Sequence, residues 1–474
     1  MITSPAFRGK RYAVLGLARS GLATVQALLA SGAHVTAWDS NEEARTKILP
    51  GTGRGTARSV VEGESGVALA SRGTASAERP LHRPADDPPP RAGEDFVLAD
   101  PLSIDLAGFD GIVVSPGVPI NRHPIAGAAK AAGVPLIGDI ELFAQARASL
   151  PPHRVVGVTG TNGKSTTTAL IHHIVASAGV PAMLGGNIGL PILRQQPLAP
   201  NANGAGVYVL ELSSYQLDLT QSLACDVAVL LNITPDHLDR YDGFAGYSAS
   251  KGRLFKMQKA NQVAVIAIED DPSRAIAAGV VGGLVTITAA DAGDQKDWPA
   301  LQGPHNAQNV SAAVAATRAL GIDEAVIEAA LATYPGLPHR MERVAEKAGV
   351  LYVNDSKATN PTSTAPALAA YPAVHWIVGG LAKTDDLDAC EPHLGHVRGA
   401  YTIGDSAAMY ERLLRGRVPV VENVGTLEHA VRRAAAVAVA GEVVLLSPAC
   451  ASFDQFRDFE ARGDAFRSLV EGLT

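Results

Sequence analysis

Cysteine is scarce in this chain: three residues in 474, at positions Cys225, Cys390 and Cys450. Thiols so far apart make neither a disulfide framework nor the spacing of a zinc site, so each is expected as a small core residue in a reducing compartment. Aromatic side chains are only 5% of the chain, and the net charge of −7 comes with no basic stripe. A nucleic-acid polyanion is therefore not the expected partner. No apolar run approaches the roughly 18 residues that cross a membrane. The first apolar stretch, Tyr12 to Leu17, is of strand length and is broken by Arg19, unlike the apolar core of a secretory leader. A soluble cytoplasmic enzyme with no membrane insertion is the expectation.

Glycine, by contrast, is concentrated where it can do chemistry. Gly157-Val-Thr-Gly-Thr-Asn-Gly-Lys-Ser-Thr166 lies between a valine-rich run, Arg154 to Thr159, and a segment from Lys164 whose apolar residues Ala169, Leu170, Ile174 and Val175 have helical spacing. A glycine-rich loop between a buried strand and a helix leaves backbone N–H groups facing outward at the positive end of the helix dipole, a cradle for polyphosphate. Lys164 would reach the outer phosphates, and the Ser165 or Thr166 hydroxyl would ligate magnesium. The common phosphate-loop pattern begins with a glycine five positions before Gly163; here that position is Val158, so the loop is a variant. ATP is the first ligand expected.

At 474 residues the chain is too long for one core and predicts about three domains. Proline-bearing joints at Ser149-Leu-Pro-Pro-His-Arg154 and Tyr334-Pro-Gly-Leu-Pro-His-Arg340 place the boundaries. The predicted organisation is α/β throughout: a Rossmann-like domain over 1–148, a central phosphate-loop domain with a parallel sheet over 149–336, and a second Rossmann-like domain over 337–474. Residues 51–93, with scattered charges and the run Asp86-Asp-Pro-Pro-Pro-Arg91, repeat apolar positions at no period and read as a flexible insertion.

The first domain opens with a strand at Tyr12 to Leu15, the turn Gly16-Leu-Ala-Arg-Ser-Gly21, an apolar helix to about Ser31 and a strand ending at Asp39. An acid about 20 residues after such glycines often holds a ribose. The middle position of the turn is Ala18, so the pattern leaves both a nicotinamide dinucleotide and a nucleotide sugar open; fold alone does not choose the ligand. In the central domain, Val207-Tyr-Val-Leu-Glu-Leu212 is a buried-strand run that delivers Glu211 at its C-terminal end, where open α/β sheets place ligands and an acid can hold magnesium. A further strand, Asp226 to Asn232, runs into Ile233-Thr-Pro-Asp-His-Leu-Asp-Arg-Tyr241, which brings His237 to the same edge. A third-domain parallel sheet is expected from Val350 to Asn354, Val374 to Val378, Ala400 to Ile403 and Val443 to Leu446.

Taken in order, Gly160-Thr-Asn-Gly-Lys-Ser-Thr166, Leu210-Glu-Leu-Ser-Ser-Tyr-Gln-Leu217, Asp236-His237, Gly303-Pro-His-Asn-Ala-Gln-Asn309 and Leu337-Pro-His-Arg340 resemble the Mur ligase family, ATP-dependent amide ligases of peptidoglycan precursor synthesis, over nearly the whole chain. Within it, Ser115-Pro-Gly-Val-Pro119, Gly138-Asp-Ile-Glu-Leu-Phe143, Asn354-Asp-Ser-Lys-Ala-Thr-Asn360 and Ser447-Pro-Ala-Cys-Ala-Ser-Phe-Asp-Gln-Phe456 are similar to the branch that adds D-glutamate to UDP-N-acetylmuramoyl-L-alanine. Such a resemblance implies a cytoplasmic monomer that forms an acyl phosphate and then an amide. The alternatives are a folylpolyglutamate synthase-like ligase of the same superfamily and, from another class, a nicotinamide-dependent oxidoreductase.

The resemblance also implies site residues. Gly160, Thr161, Asn162, Gly163, Lys164, Ser165, Thr166, Asn306, Arg340, Asp355 and Lys357 would bind ATP. Arg19, Ser20, Asp39, Ser40, Ser115, Gly117, Asn187 and Ser213 would meet the UDP substrate; Thr359, Lys383, Ser452, Phe453 and Phe459 would surround D-glutamate. Lys164, Glu211, His237 and Lys251 would be catalytic. Two Mg2+ sites are implied, Ser165 with Glu211 and His237 with Lys251. An ammonium cannot ligate a cation, so Lys251 would be carbamylated, as the matching lysine of the family is. For Lys383, Thr359, Ser452, Phe453 and Phe459 the ordinary alternative is a solvated lysine, a capping serine or a core phenylalanine.

Overall fold

The computed structural model describes residues 1–46, 95–200, 204–238 and 240–473, with only the backbone at 304 and 305. The predicted insertion at 51–93 lies outside the described residues. The chain divides into two compact units, Met1–Thr333 and Tyr334–Thr474.

The first unit holds two sheets. One comprises β1 (Arg11–Leu15), β2 (His34–Trp38), β3 (Phe96–Leu98), β4 (Gly111–Val114) and β5 (Leu136–Ile137), in the order β3-β2-β1-β4-β5. All its pairings are parallel. Strand order reverses at β1, so the turn after β1 and the loop after β4 open onto the crevice where such sheets bind ligands. The helix Arg19–Ala30 starts directly after Ala18, whose φ of −68° and ψ of −171° are ordinary for any L-residue; alanine there costs the turn nothing. Gly16, at φ +89°, is different: a Cβ would lie 2.8 Å from that of Ser115.

The second sheet is built from β6 (His153–Thr159), β7 (Ala182–Gly186), β8 (Gly206–Glu211), β9 (Val227–Leu230), β10 (Val263–Ala267) and β11 (Gly283–Ile287), in the order β11-β10-β9-β6-β8-β7. It too is all parallel. Every residue of β8 and of β9 is buried, as expected of strands covered on both faces. β6 is central, flanked by β8 and β9, so three strand ends converge on the loop that follows it.

A polar seam joins these two sheets. Glu141, buried in the helix Asp139–Ala146, accepts from the backbone N–H groups of Gln221 (2.7 Å) and Ser222 (2.9 Å) and from the Ser222 hydroxyl (2.7 Å). Arg147 donates to the Ala224 carbonyl at 2.6 Å and to Asp226 at 3.3 Å. Charge-assisted bonds of this kind are about twice as strong as neutral ones, and Glu141 would be costly to bury without them.

The second unit carries β12 (Glu342–Lys347), β13 (Val350–Asn354), β14 (Val374–Gly379), β15 (Val397–Ile403), β16 (Val421–Gly425) and β17 (Val443–Leu446), in the order β12-β13-β17-β14-β15-β16. The sheet is not wholly parallel as expected: β12 pairs antiparallel to β13. The connection is the two-residue turn Ala348-Gly349, both at positive φ, a geometry that suits the twist of a hairpin. All three cysteines are buried. Among the described residues, no helix is long and apolar enough to cross a membrane.

Candidate active site

The loop after β6 turns into the helix Lys164–Ser177 through Gly163, which caps it at φ +81°. A Cβ at Gly163 would sit 2.1 Å from Asn309 Oδ1, so the position requires glycine both for conformation and for space. Asn309 in turn accepts from the Thr167 hydroxyl at 3.2 Å. On the other side, Asn232, just past β9, accepts from the Asn162 N–H at 2.9 Å, and Thr161 N–H donates to the Asn232 carbonyl at 2.8 Å. Lys164 Nζ donates to the carbonyls of Gly160 (3.0 Å) and Thr161 (2.8 Å). Ser165 is buried in the first turn beside it.

Glu211 ends β8 next to this loop, in register with Val158 of β6. It is 2% exposed. Its Oε1 accepts from Asn187 Nδ2 at 2.9 Å, and the Asn187 N–H also donates to the Glu211 carbonyl at 2.8 Å. Oε2 is buried with no hydrogen-bond partner. A buried anionic oxygen with nothing to satisfy it fits a hard cation, which takes oxygen ligands. Ser213, by contrast, caps the helix Ser214–Asp218 in a reciprocal box with Gln216.

Lys251, on the helix Gly243–Lys256, is 1% exposed. Its Nζ donates to the same Gly160 carbonyl at 2.8 Å and lies 4.6 Å from the centre of the Tyr247 ring. Burial, with the Lys164 charge nearby, pushes its pKa down to about 7. A buried amine with so large a neutral fraction near neutrality is a nucleophile toward carbon dioxide, so the chemistry of the residue fits carbamylation. His237 sits in a tight turn at φ +52°, 5.0 Å from the ring of Tyr215 and 6.3 Å from that of Tyr247. Among the described residues, no three His, Cys, Asp or Glu side chains converge as a ready metal site.

At the C-terminal edge of the first sheet, Ser115 Oγ donates to the Gly16 carbonyl at 2.8 Å. Asp39 holds the same turn, accepting from the N–H groups of Leu17 (2.6 Å) and Asn41 (2.8 Å). Arg19 reaches the Gly189 carbonyl at 3.2 Å. Ser20 lines a narrow cleft with Ser115 and Asp139, and Ser40 and Gly117 are exposed. Burial raises the Asp139 pKa to about 6. Asn306, in the helix Pro304–Ala319, donates to the Gln302 carbonyl and accepts from Asn309.

In the second unit, the turn before β12 and the loops after β13, β14 and β17 carry the remaining candidates. Asp355 accepts from the Ser447 hydroxyl at 2.7 Å and the Met341 N–H at 3.2 Å; burial nonetheless raises its pKa to about 7. Arg340 is exposed between His339 and Met341, both at positive φ. Lys357 Nζ lies 5.8 Å from the Phe459 ring centre. Lys383 Nζ donates to Thr359 Oγ1 at 3.2 Å. Ser452 is buried with its hydroxyl unpartnered, whereas Phe453 is 70% exposed.

Sequence reasoning missed Arg462. It is fully buried and donates to the carbonyls of Ser356, Cys450 and Ala451 and to the Ser356 hydroxyl, tying the loops after β13 and β17 together. Desolvation lowers its pKa to about 10. Nothing local marks it, since arginine in an amphipathic helix is usually solvated. Asn309 and Asn232 were missed as well, although both stand in or beside quoted motifs.

Three parallel-strand ends, a glycine-capped helix and an orphaned carboxylate oxygen define a phosphate-loop α/β enzyme. Residues 158–298 match the Mur ligase middle domain, and residues 339–450 match the Mur ligase glutamate ligase domain. The chain belongs to the Mur ligase family and is an ATP-dependent, amide-forming ligase. It is 59% identical over 478 residues to the UDP-N-acetylmuramoylalanine--D-glutamate ligase of Novosphingobium aromaticivorans, covering 100% of this chain and 97% of that one. The enzyme of the same name from Sphingopyxis alaskensis is 57% identical, with 100% of both chains covered. Among solved structures, the UDP-N-acetylmuramate-alanine ligase of Thermotoga maritima superposes with a TM-score of 0.55 over 98% of this chain and 99% of that one. At 16% identity that likeness concerns the fold alone.

Proposed function

We propose that the chain joins D-glutamate to UDP-N-acetylmuramoyl-L-alanine, in the cytoplasm and as a monomer, in peptidoglycan precursor synthesis. A carboxylate oxygen of the UDP substrate attacks the γ-phosphorus of ATP, ADP leaves, and an acyl phosphate results. The D-glutamate amine then attacks the acyl carbon, loses a proton and expels phosphate, leaving an amide. Magnesium, when bound, offsets the charge repulsion between carboxylate and triphosphate. The observation that carries the reading is the buried, unpartnered Glu211 oxygen at a strand end adjoining the phosphate loop.

The positions support the following roles. Residues 160–166 cradle the phosphates, and Lys164 leaves its own loop carbonyls to follow the transferred charge. Ser165 and Glu211 hold one magnesium ion, oriented by Asn187; His237 and a carbamate on Lys251 hold the second. Arg19, Ser20, Asp39, Ser40, Ser115 and Gly117 receive the UDP end, and Asn187 and Ser213 the sugar-peptide end. Asn306, Arg340, Asp355 and Lys357 are assigned to the nucleotide. Lys383 and Thr359, already hydrogen-bonded to each other, with Ser452, Phe453 and Phe459, are assigned to D-glutamate. On this reading domain 1–148 takes the UDP substrate, 149–336 takes ATP, and 337–474 takes the amino acid and part of the nucleotide.

The test is phosphate release by the purified protein with Mg-ATP and UDP-N-acetylmuramoyl-L-alanine against a panel of D- and L-amino acids and a folate acceptor. Release that depends on D-glutamate, with an amide product of matching mass, is expected. Turnover driven by folate would overturn the substrate assignment, and binding of a nicotinamide dinucleotide at Gly16 to Asp39 would overturn that of the first domain.

A further inference from the structure

Arg240 lies in the turn that carries His237, yet its side chain reaches into the first sheet's territory. One terminal nitrogen donates to the carbonyls of Val118 at 2.7 Å and Pro116 at 3.2 Å. The guanidinium lies 3.8 Å from the centre of the Tyr215 ring, and its Nε is buried without a partner. The Arg240 N–H closes the turn onto the His237 carbonyl at 2.9 Å. From the far side of the same loop, Ser115 holds the Gly16 carbonyl.

We propose that Arg240 is a positioning residue that sets the distance between the loop 115–118, assigned above to the UDP end of the substrate, and His237, assigned above to the magnesium ion at the reacting end. The reasoning rests on the functional reading above. A long nucleotide sugar anchored at one end delivers its reacting group correctly only if the two anchors are fixed relative to each other. Only arginine does this here: its planar group stacks on a ring face while its edge donates to two carbonyls, and a lysine ammonium does one or the other. The left-handed backbone of His237 gives a reason for the reinforcement, because a strained turn persists only when its surroundings hold it.

The experiment compares wild type, Arg240→Lys and Arg240→Met as full-length proteins. Calorimetric titration with UDP-N-acetylmuramoyl-L-alanine and, separately, with ADP is combined with steady-state kinetics and thermal melting. Charge-assisted bonds to two carbonyls predict affinity for the UDP substrate about tenfold or more weaker in both variants. KM for that substrate rises in step, while ADP affinity and KM for ATP stay within about twofold. Unchanged affinity for the UDP substrate overturns the proposal. So does parallel loss of both ligands with a lowered melting temperature, which marks a merely structural residue, and so does full rescue by lysine. A wild-type protein that binds ADP but not the UDP substrate overturns the functional reading and this inference with it.

Discussion

Replacing Glu211 by glutamine separates what this residue does for the fold from what it does for the reaction. The carboxylate is 2% exposed, with one oxygen bonded to Asn187 and the other to nothing. Leaving even a neutral buried group unsatisfied costs about 1–3 kcal/mol, and a charged one costs more. Glutamine keeps the shape and the Asn187 contact, and places an unsatisfied but neutral amide where the charged oxygen was. The metal-free protein should therefore gain about 1–2 kcal/mol, a rise of a few degrees in melting temperature. Activity should move the opposite way. Losing a magnesium ligand removes several kcal/mol of charge stabilisation, so turnover should drop about 10²-fold or more. Melting in chelator and phosphate release across a magnesium titration read both effects. A variant that melts lower without metal, or keeps the wild-type magnesium dependence, would refute the argument that the orphaned oxygen awaits a cation.

Three further outcomes are expected. Lys251→Ala should lose about 10²-fold in turnover and recover part of it with added short carboxylic acids; no rescue would count against the carbamate. Because the amine is neutral above about pH 7, wild-type carbamate content should rise as pH rises through that value, which 13C-bicarbonate labelling would follow by NMR. Asp355 titrates near 7 when folded instead of at 3.8, so between those values the folded state holds a proton that the unfolded chain has released. Its contribution falls as pH rises through that window, by at most about 1.4 kcal/mol per pH unit. Asp355→Asn should lack this slope in chemical denaturation at pH 4.5, 6 and 7.5, and parallel curves for the two proteins would refute it.

Much of the fold was legible because parallel strands covered on both faces are written as continuous apolar runs. β13 and β17 fall on the expected residues, and β8 and β9 within one or two of them. Edge strands were not legible: β12 reads Glu-Arg-Val-Ala-Glu-Lys, and four of the five residues of β11 are exposed, so neither carries the buried-strand signature. The candidates Lys164 and His237 stand within a few residues after recognisable strands and Glu211 ends one, which is why the sequence could propose them. Arg240, Asn309 and Arg462 could not be read this way. Each has at least one partner roughly a hundred residues or more away in the chain, and contacts of that span leave no local period.

The seam of Glu141 and Arg147 against residues 221–226 bears on how such chains can be recombined. Glu141 answers three donors in the segment that leads into β9 of the other sheet, and Arg147 completes a carbonyl and a carboxylate there. A sister ligase's first sheet grafted at the proline joint near residue 150 would bring its own helix, and unless that helix supplied the same acid and base, it would leave those groups without their partners. The unit of inheritance is therefore the pair of sheets with their shared seam. Exchange of nucleotide-sugar specificity between relatives should be found where residues 141, 147 and 221–226 travel together.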